Sequence, residues 1–200
     1  RLGTLTLGRG PVKVAVPLVG SDRTALRAEL DALPDSAADL VEWRIDCLSP
    51  FPDTEALLAL ARELKQSLGS LPLLITFRSL PEGGRLPLDA AAYREVQLRL
   101  AKEQLPDLLD VELFSGLPDP AAHIAALQCE HIPVIASRHF FDGTPTPQVM
   151  RETFQRMQDC NADILKLAVM TETAEDLLSL LQFSAAQRQT ADRPFVLIGM

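Results

Sequence analysis

Lys166 lies at the centre of an apolar run from Ala162 to Met170. An amine in such a run either reaches water along its own stem or takes part in chemistry. An uncharged amine can add to a ketone and form an imine. Four other apolar runs carry polar side chains in comparable places: Glu42-Trp43-Arg44, Thr76-Phe77-Arg78 with Glu82 four residues on, Asp110-Val111-Glu112, and Ser137-Arg138-His139. Together they offer a nucleophile, an imidazole suited to proton transfer near neutral pH, carboxylates, and arginines that grip anions bidentately. If the runs are strands, alternation puts Glu42 and Arg44 on one face with Trp43 on the other, and puts Asp110 and Glu112 together.

Singly, each group has an ordinary reading. Lys166 is a strand-end lysine reaching solvent. Glu42 and Arg44 are an internal ion pair. Arg78 lies on a rim, Glu82 in a solvated loop, and His139 in a turn. Asp110 and Glu112 are read as neutralising the nearby arginines. His123 and His131 fall on a helix and a helix–strand turn and are read as structural. Five polar clusters at successive strand ends are harder to assign to chance, and the elements around them say why.

Strands are expected over Val12–Val16 (ended by Pro17), Asp39–Ile45, Leu73–Phe77, Leu108–Phe114, Ile132–Ala136, the Lys166 run, and Phe195–Ile198. Leu2–Leu7 alternates apolar residues with Thr and Gly and suggests a short leading strand. Between the strands lie helices begun by Ser21, Asp53, Asp89, Asp119, Thr146-Pro147 and the capping-box-like Thr173-Ala174-Glu175-Asp176. A loop from Ser79 to Leu88 carries Gly83-Gly84. Strand starts recur every 24 to 35 residues. Such βα alternation implies a parallel sheet with right-handed crossovers, and the unit count favours a (β/α)8 TIM-type barrel over an open doubly wound sheet. In that architecture the strand ends carrying the polar clusters form the site. The chain is expected to be one α/β domain over residues 1–200, with the last βα unit absent.

The 200 residues carry a formal net charge of −8, which speaks against nucleic acid or an anionic membrane surface as a partner. No apolar run approaches the ~18 residues that span a bilayer, and no signal peptide is visible. No GxGxxG or GxxxxGK[ST] occurs at a βα turn, so nucleotide binding has no support. Cys47, Cys129 and Cys160 share no metal-type spacing and are read as reduced packing thiols in the cytoplasm.

Glu42-Trp43-Arg44-Ile45-Asp46, Thr76-Phe77-Arg78-Ser79 with Glu82-Gly83-Gly84, Asp110-Val111-Glu112, Ser137-Arg138-His139-Phe140-Phe141 and Lys166-Leu167-Ala168-Val169-Met170 resemble, in order and spacing, the type I 3-dehydroquinate dehydratases. The resemblance implies a lyase of the shikimate pathway that dehydrates 3-dehydroquinate to 3-dehydroshikimate through a lysine Schiff base. It implies Lys166 as the Schiff-base lysine, His139 as the proton-transferring base and Glu82 as its carboxylate partner. Glu42, Arg44 and Arg78 would contact the substrate, a small carboxylated polyol. No metal or organic cofactor is implied, and a homodimer is. The Gly83-Gly84 loop is expected to act as a lid.

Two departures qualify the resemblance. Members of the family continue beyond the residue matching Met200, with a carboxylate-binding arginine and a later Ser and Gln at the site, so the chain as given is expected to be weakly active or inactive. Pro17 also stands where some members have a substrate-touching serine. The competing readings are another Schiff-base barrel enzyme of aldolase type, which leaves the His139 and Glu82 pair unexplained, and a non-catalytic ligand-binding remnant of the barrel.

Overall fold

The computed structural model describes residues 5–33, 37–87, 89–113 and 116–200. Strands and helices alternate as β1 (Ala15–Leu18), α1 (Arg23–Ala32), β2 (Leu40–Arg44), α2 (Thr54–Leu68), β3 (Leu73–Thr76), α3 (Ala90–Lys102), β4 (Leu108–Glu112), α4 (Pro120–Cys129), β5 (Val134–Phe140), α5 (Pro147–Asp159), β6 (Ile164–Val169), α6 (Ala174–Thr190) and β7 (Phe195–Gly199). The sheet follows chain order, and every neighbouring pair is parallel. This is the expected α/β barrel architecture, seen as a curled seven-stranded sheet. Of the expected segments, residues 2–4 of the leading strand, Leu88 of the glycine loop and Phe114 of the fourth strand lie outside the described residues.

Each helix begins with an Asp or Thr whose side chain accepts the N–H three residues later. That bond satisfies one of the four N–H groups a helix leaves orphaned, and it explains why the chain turns helical at these points. The first cap is Asp22, not Ser21. At α6 both halves of the expected capping box form between Thr173 and Asp176. Among the described residues no helix is long and apolar enough to cross a membrane.

Two strands differ from expectation. β1 starts at Ala15 and runs through Pro17, which lies opposite Glu42. Proline is tolerated there because β1 pairs only with β2 among the described residues, and a missing N–H costs little on an edge. Val12, expected in a buried strand, is 91% exposed. β5 continues past Ala136 to Phe140, because β6 is long enough to pair with it as far as Phe140 opposite Val169. His139 therefore sits on a strand rather than in a turn. Cys129, expected to pack, is exposed at the end of α4, whose buried face is His123, Ile124 and Leu127.

The register stacks side chains in layers along the inner face of the curl. Leu40, Leu74, Leu108, Ile135 and Ile164 form an apolar floor, closed by Leu5. Two residues further along their strands come Glu42, Thr76, Asp110, Ser137 and Lys166. Two further still come Arg44, Arg78, Glu112 and His139. The intervening residues Val41, Trp43, Ile75, Leu109, Val111, Ala136, Leu165 and Leu167 face outward and pack under the helices. The apolar floor and helical layer thus leave one place for charge, at the carboxyl ends of the strands.

Candidate active site

The middle layer brings Lys166 onto the inner wall. Its Nζ lies 3.6 Å from Glu42 Oε1 and 3.8 Å from Asp110 Oδ2. Glu42 is oriented by Thr76, whose Oγ1 donates to the same Oε1 at 2.8 Å. Ser137, opposite Lys166 in the β5–β6 register, donates to Asp110 Oδ1 at 2.6 Å.

Arg78 is the hub of the next layer and is buried. Its Nη1 donates to Glu112 Oε1 and to Ser137 Oγ, both at 2.9 Å, and its Nη2 lies 3.0 Å from Asp110 Oδ2. Both carboxylates are wholly buried. Burial alone raises a carboxyl pKa, but at Asp110 the charges of Arg78 and Lys166 and the Ser137 hydrogen bond outweigh it and hold the group below the ordinary carboxylate range. Arg78 does not lie on the rim: it is committed to this network, so a ligand would meet it already paired.

Arg44 takes a different course. Its Nε and Nη2 donate to Asp46 Oδ1 and Oδ2, each at 2.8 Å. Glu42 and Arg44, which alternation places on one face, are not an ion pair; each has its own partner.

Glu82 lies in a short helical turn, Leu80–Glu82, and is 1% exposed. Its Oε2 accepts from His139 N at 2.7 Å and lies 2.9 Å from His139 Nδ1, while its Oε1 accepts from Arg138 Nη1 at 2.5 Å. A carboxylate at Nδ1 fixes the tautomer: Nδ1 carries the proton and Nε2 is left with its lone pair. Burial pushes the His139 ring below its ordinary value of 6.5, with Arg78 and Lys166 acting in the same sense and Glu82 and Asp110 partly offsetting them. The ring is therefore a neutral base at pH 7. His139 is two residues beyond Ser137, the register partner of Lys166, so base and amine stand on adjacent strands and share one face.

The Gly83-Gly84 loop, expected to act as a lid, is held by backbone hydrogen bonds in this structure. Leu80 N donates to Leu86 O at 2.7 Å and Gly84 N to Ser79 O at 2.8 Å. A Cβ on Gly84 would lie 1.7 Å from the Arg78 carbonyl oxygen, so only glycine fits this close return of the chain. The loop forms a bracket that carries Glu82. Thr76, Ser137 and Arg138 were not singled out as site residues by sequence. Thr76 and Ser137 occupy the same inward layer as Glu42 and Lys166, and that shared level is the signal that finds them.

Residues 14–200 match the family model described as type I 3-dehydroquinase. The chain is 36% identical over 194 residues to the 3-dehydroquinate dehydratase of Neisseria meningitidis serogroup A, covering 97% of this chain and 76% of the relative. It is 35% identical over 196 residues to that of Listeria monocytogenes serotype 4a, covering 98% and 78%. Among solved structures it resembles the type I 3-dehydroquinate dehydratase of Clostridium difficile, solved with covalently modified comenic acid, with a TM-score of 0.93, 31% identity and coverage of 98% of this chain and 78% of that one. For the 3-dehydroquinate dehydratase of Geobacillus kaustophilus the TM-score is 0.91, with 32% identity and coverage of 97% and 76%.

Proposed function

The chain belongs to the type I 3-dehydroquinase family, and from that membership we infer its activity. It is a lyase of the shikimate pathway that dehydrates 3-dehydroquinate to 3-dehydroshikimate through a Schiff base. The assignment of residues to steps is our proposal.

Lys166 is the nucleophile. Its amine adds to the ring ketone and expels water, giving an iminium ion that withdraws electrons from the neighbouring carbon. His139 Nε2 takes the proton from that carbon as the enamine forms. The returning electron pair expels the hydroxyl group, and the protonated His139 supplies the proton with which it leaves as water. Water then hydrolyses the imine and frees Lys166. Glu82 keeps His139 in the tautomer with Nε2 open, and its hydrogen bonds stabilise the imidazolium between the two proton transfers. Glu42, Arg44 and Arg78 are proposed to contact the substrate, Arg44 through Nη1, which has no protein partner among the described residues. The polyol's carboxylate suits such a cation.

The observation that carries this reading is the juxtaposition on β5 and β6 of a neutral, carboxylate-oriented imidazole and an inward lysine. An aldolase-type reading leaves that imidazole without a task. We further propose that the described units act as one domain. A homodimer rests on the family resemblance. The cytoplasm is supported by Cys47, Cys129 and Cys160, all free thiols.

The test is reductive trapping. Borohydride added with 3-dehydroquinate is expected to convert the imine to a stable secondary amine, seen by mass spectrometry as one ligand on the peptide containing Lys166. Lys166→Ala should abolish both trapping and turnover. An adduct on Lys13, Lys65 or Lys102, or undiminished turnover by Lys166→Ala, would overturn the assignment.

A further inference from the structure

Asp46 has no role in the chemistry above, yet among the described residues it is one of the most heavily engaged side chains. It lies in the short helical turn Ile45–Cys47 just beyond β2 and is 1% exposed. Its two oxygens accept four hydrogen bonds. Arg44 supplies two, Nε to Oδ1 and Nη2 to Oδ2, both at 2.8 Å. The backbone supplies the others: Arg78 N to Oδ1 at 3.1 Å and Arg85 N to Oδ2 at 3.3 Å. Arg78 and Arg85 flank the bracket that carries Glu82. A single buried carboxylate therefore touches the arginine proposed to meet substrate and both ends of the loop that orients the base.

We propose that Asp46 is a positioning residue that sets substrate binding and proton transfer together, through Arg44 and through the Glu82 bracket. The proposal rests on the reading that Arg44 contacts the substrate and that Glu82 orients His139.

The geometry gives each arm a distinct consequence. A guanidinium held through Nε and Nη2 cannot swing, so Nη1 points in one fixed direction, and a ligand carboxylate meets a donor already in place. An asparagine at 46 keeps one acceptor oxygen and turns an NH2 group toward a cation or a backbone N–H, so neither arm survives intact. Arg44 then samples several directions and binding weakens. The ends of the bracket loosen, Glu82 drifts relative to His139, and the chemical step slows. A merely structural carboxylate would behave otherwise: its loss would lower the melting temperature and the fraction of folded enzyme, leaving KM where it was.

The experiment measures kcat and KM for 3-dehydroquinate with Asp46→Asn, Arg44→Met, the double variant and Arg44→Lys, with melting temperature as a control. Asp46→Asn is expected to raise KM about tenfold, the scale of one charge-assisted hydrogen bond, and to lower kcat. The KM of the double variant should match that of Arg44→Met alone, because groups that act through one another are not additive. Arg44→Lys, which keeps the charge but cannot fork onto a carboxylate, should raise KM nearly as much as Arg44→Met. That last comparison stands even if Asp46→Asn does not fold. An unchanged KM in Asp46→Asn, multiplying effects in the double variant, or a normal KM in Arg44→Lys overturns the proposal while leaving Arg44 as a substrate contact. An unchanged KM in Arg44→Met removes that contact instead, and the proposal with it.

Discussion

The inner face of β4 and its edge toward α3 both bury polar groups, but in different electrical states. Inside, the carboxylates Asp110 and Glu112 meet the cations Arg78 and Lys166, with the Ser137 hydroxyl bridging Arg78 and Asp110. On the other side the β3–β4 ladder pairs only Leu74 with Leu108 and Ile75 with Leu109. Beyond that short ladder the Asp110 carbonyl accepts from Tyr93 OH at 3.2 Å and from Gln97 Nε2 at 2.8 Å, and Glu112 N donates to Tyr93 OH at 3.3 Å. Gln97 Oε1 in turn lies 2.7 Å from His123 Nε2. Side chains of α3 thus finish a ladder that the strand cannot, using only neutral groups. A buried backbone group needs a partner, and a neutral one suffices.

Each side holds a histidine, and the partner decides what the ring can do. Burial lowers both. His123 faces an amide and is pushed down to about 4. His139 faces Glu82, which partly restores its affinity for a proton. One ring is locked neutral as a spacer, and the other is neutral but able to charge.

The strongest break between the two sides should appear in turnover. His139→Ala is expected to lower kcat by about 10²–10⁴-fold, the usual worth of a positioned base, while borohydride still traps the imine on Lys166. His123→Ala should cost stability but leave the kcat of the folded enzyme near that of the parent. Comparable losses of kcat in the two variants would erase the distinction.

Stability gives the next contrast. Arg78→Met leaves Asp110 and Glu112 buried without their cation and should cost about 3–5 kcal/mol in urea unfolding. Gln97→Leu leaves neutral groups unpaired and should cost about 1–3 kcal/mol. Equal costs would mean that charge is not what separates the two networks.

Much of this was legible in the residues themselves. The alternation of β and α, the caps at Asp53, Asp89, Asp119, Thr146 and Thr173, and the apolar runs all follow from local periodicity and turn chemistry. So did the inward placement of Glu42 and Lys166, since a period of two fixes the face once the strand is known. What local pattern could not supply was pairing across the sheet. Arg44 and Glu42 share a face, yet Arg44 turns forward to Asp46 and Glu42 to Thr76, choices set by register and by a helical turn after β2. Arg78, read singly as a rim residue and through the resemblance as a substrate contact, is buried, and that burial depends on Glu112 and Asp110 from the next strand. The tie between Glu82 and His139 spans 57 residues and was reached only through the family resemblance.

The finest test of the comparison is pH. Below its lowered pKa His139 takes up a proton and ceases to be a base, so kcat should fall on the acid side with a limb below pH 6.5. The Glu82 hydrogen bond acts against that lowering. Glu82→Gln removes the charge that favours the imidazolium, so the limb should move to still lower pH even as the plateau rate drops; a limb that moves upward would refute the role given to Glu82. His123 should not enter this profile at all. Its signature is in stability. The unfolded ring titrates near 6.5 and the folded ring at about 4. As pH falls below 6.5 the unfolded chain binds a proton that the folded chain refuses, so the stability that is full above 6.5 is lost progressively down to pH 4 and levels off beneath it. His139, lowered in the same direction, adds to that loss, whereas Asp46 and Asp110, held below the ordinary 3.8, act only at more acid pH. His123→Phe should therefore flatten part of the decline in melting temperature between pH 6.5 and 4 and leave the acid limb of kcat where it was. A shifted limb in His123→Phe would show that the neutral network behind β4 reaches the chemistry in front of it.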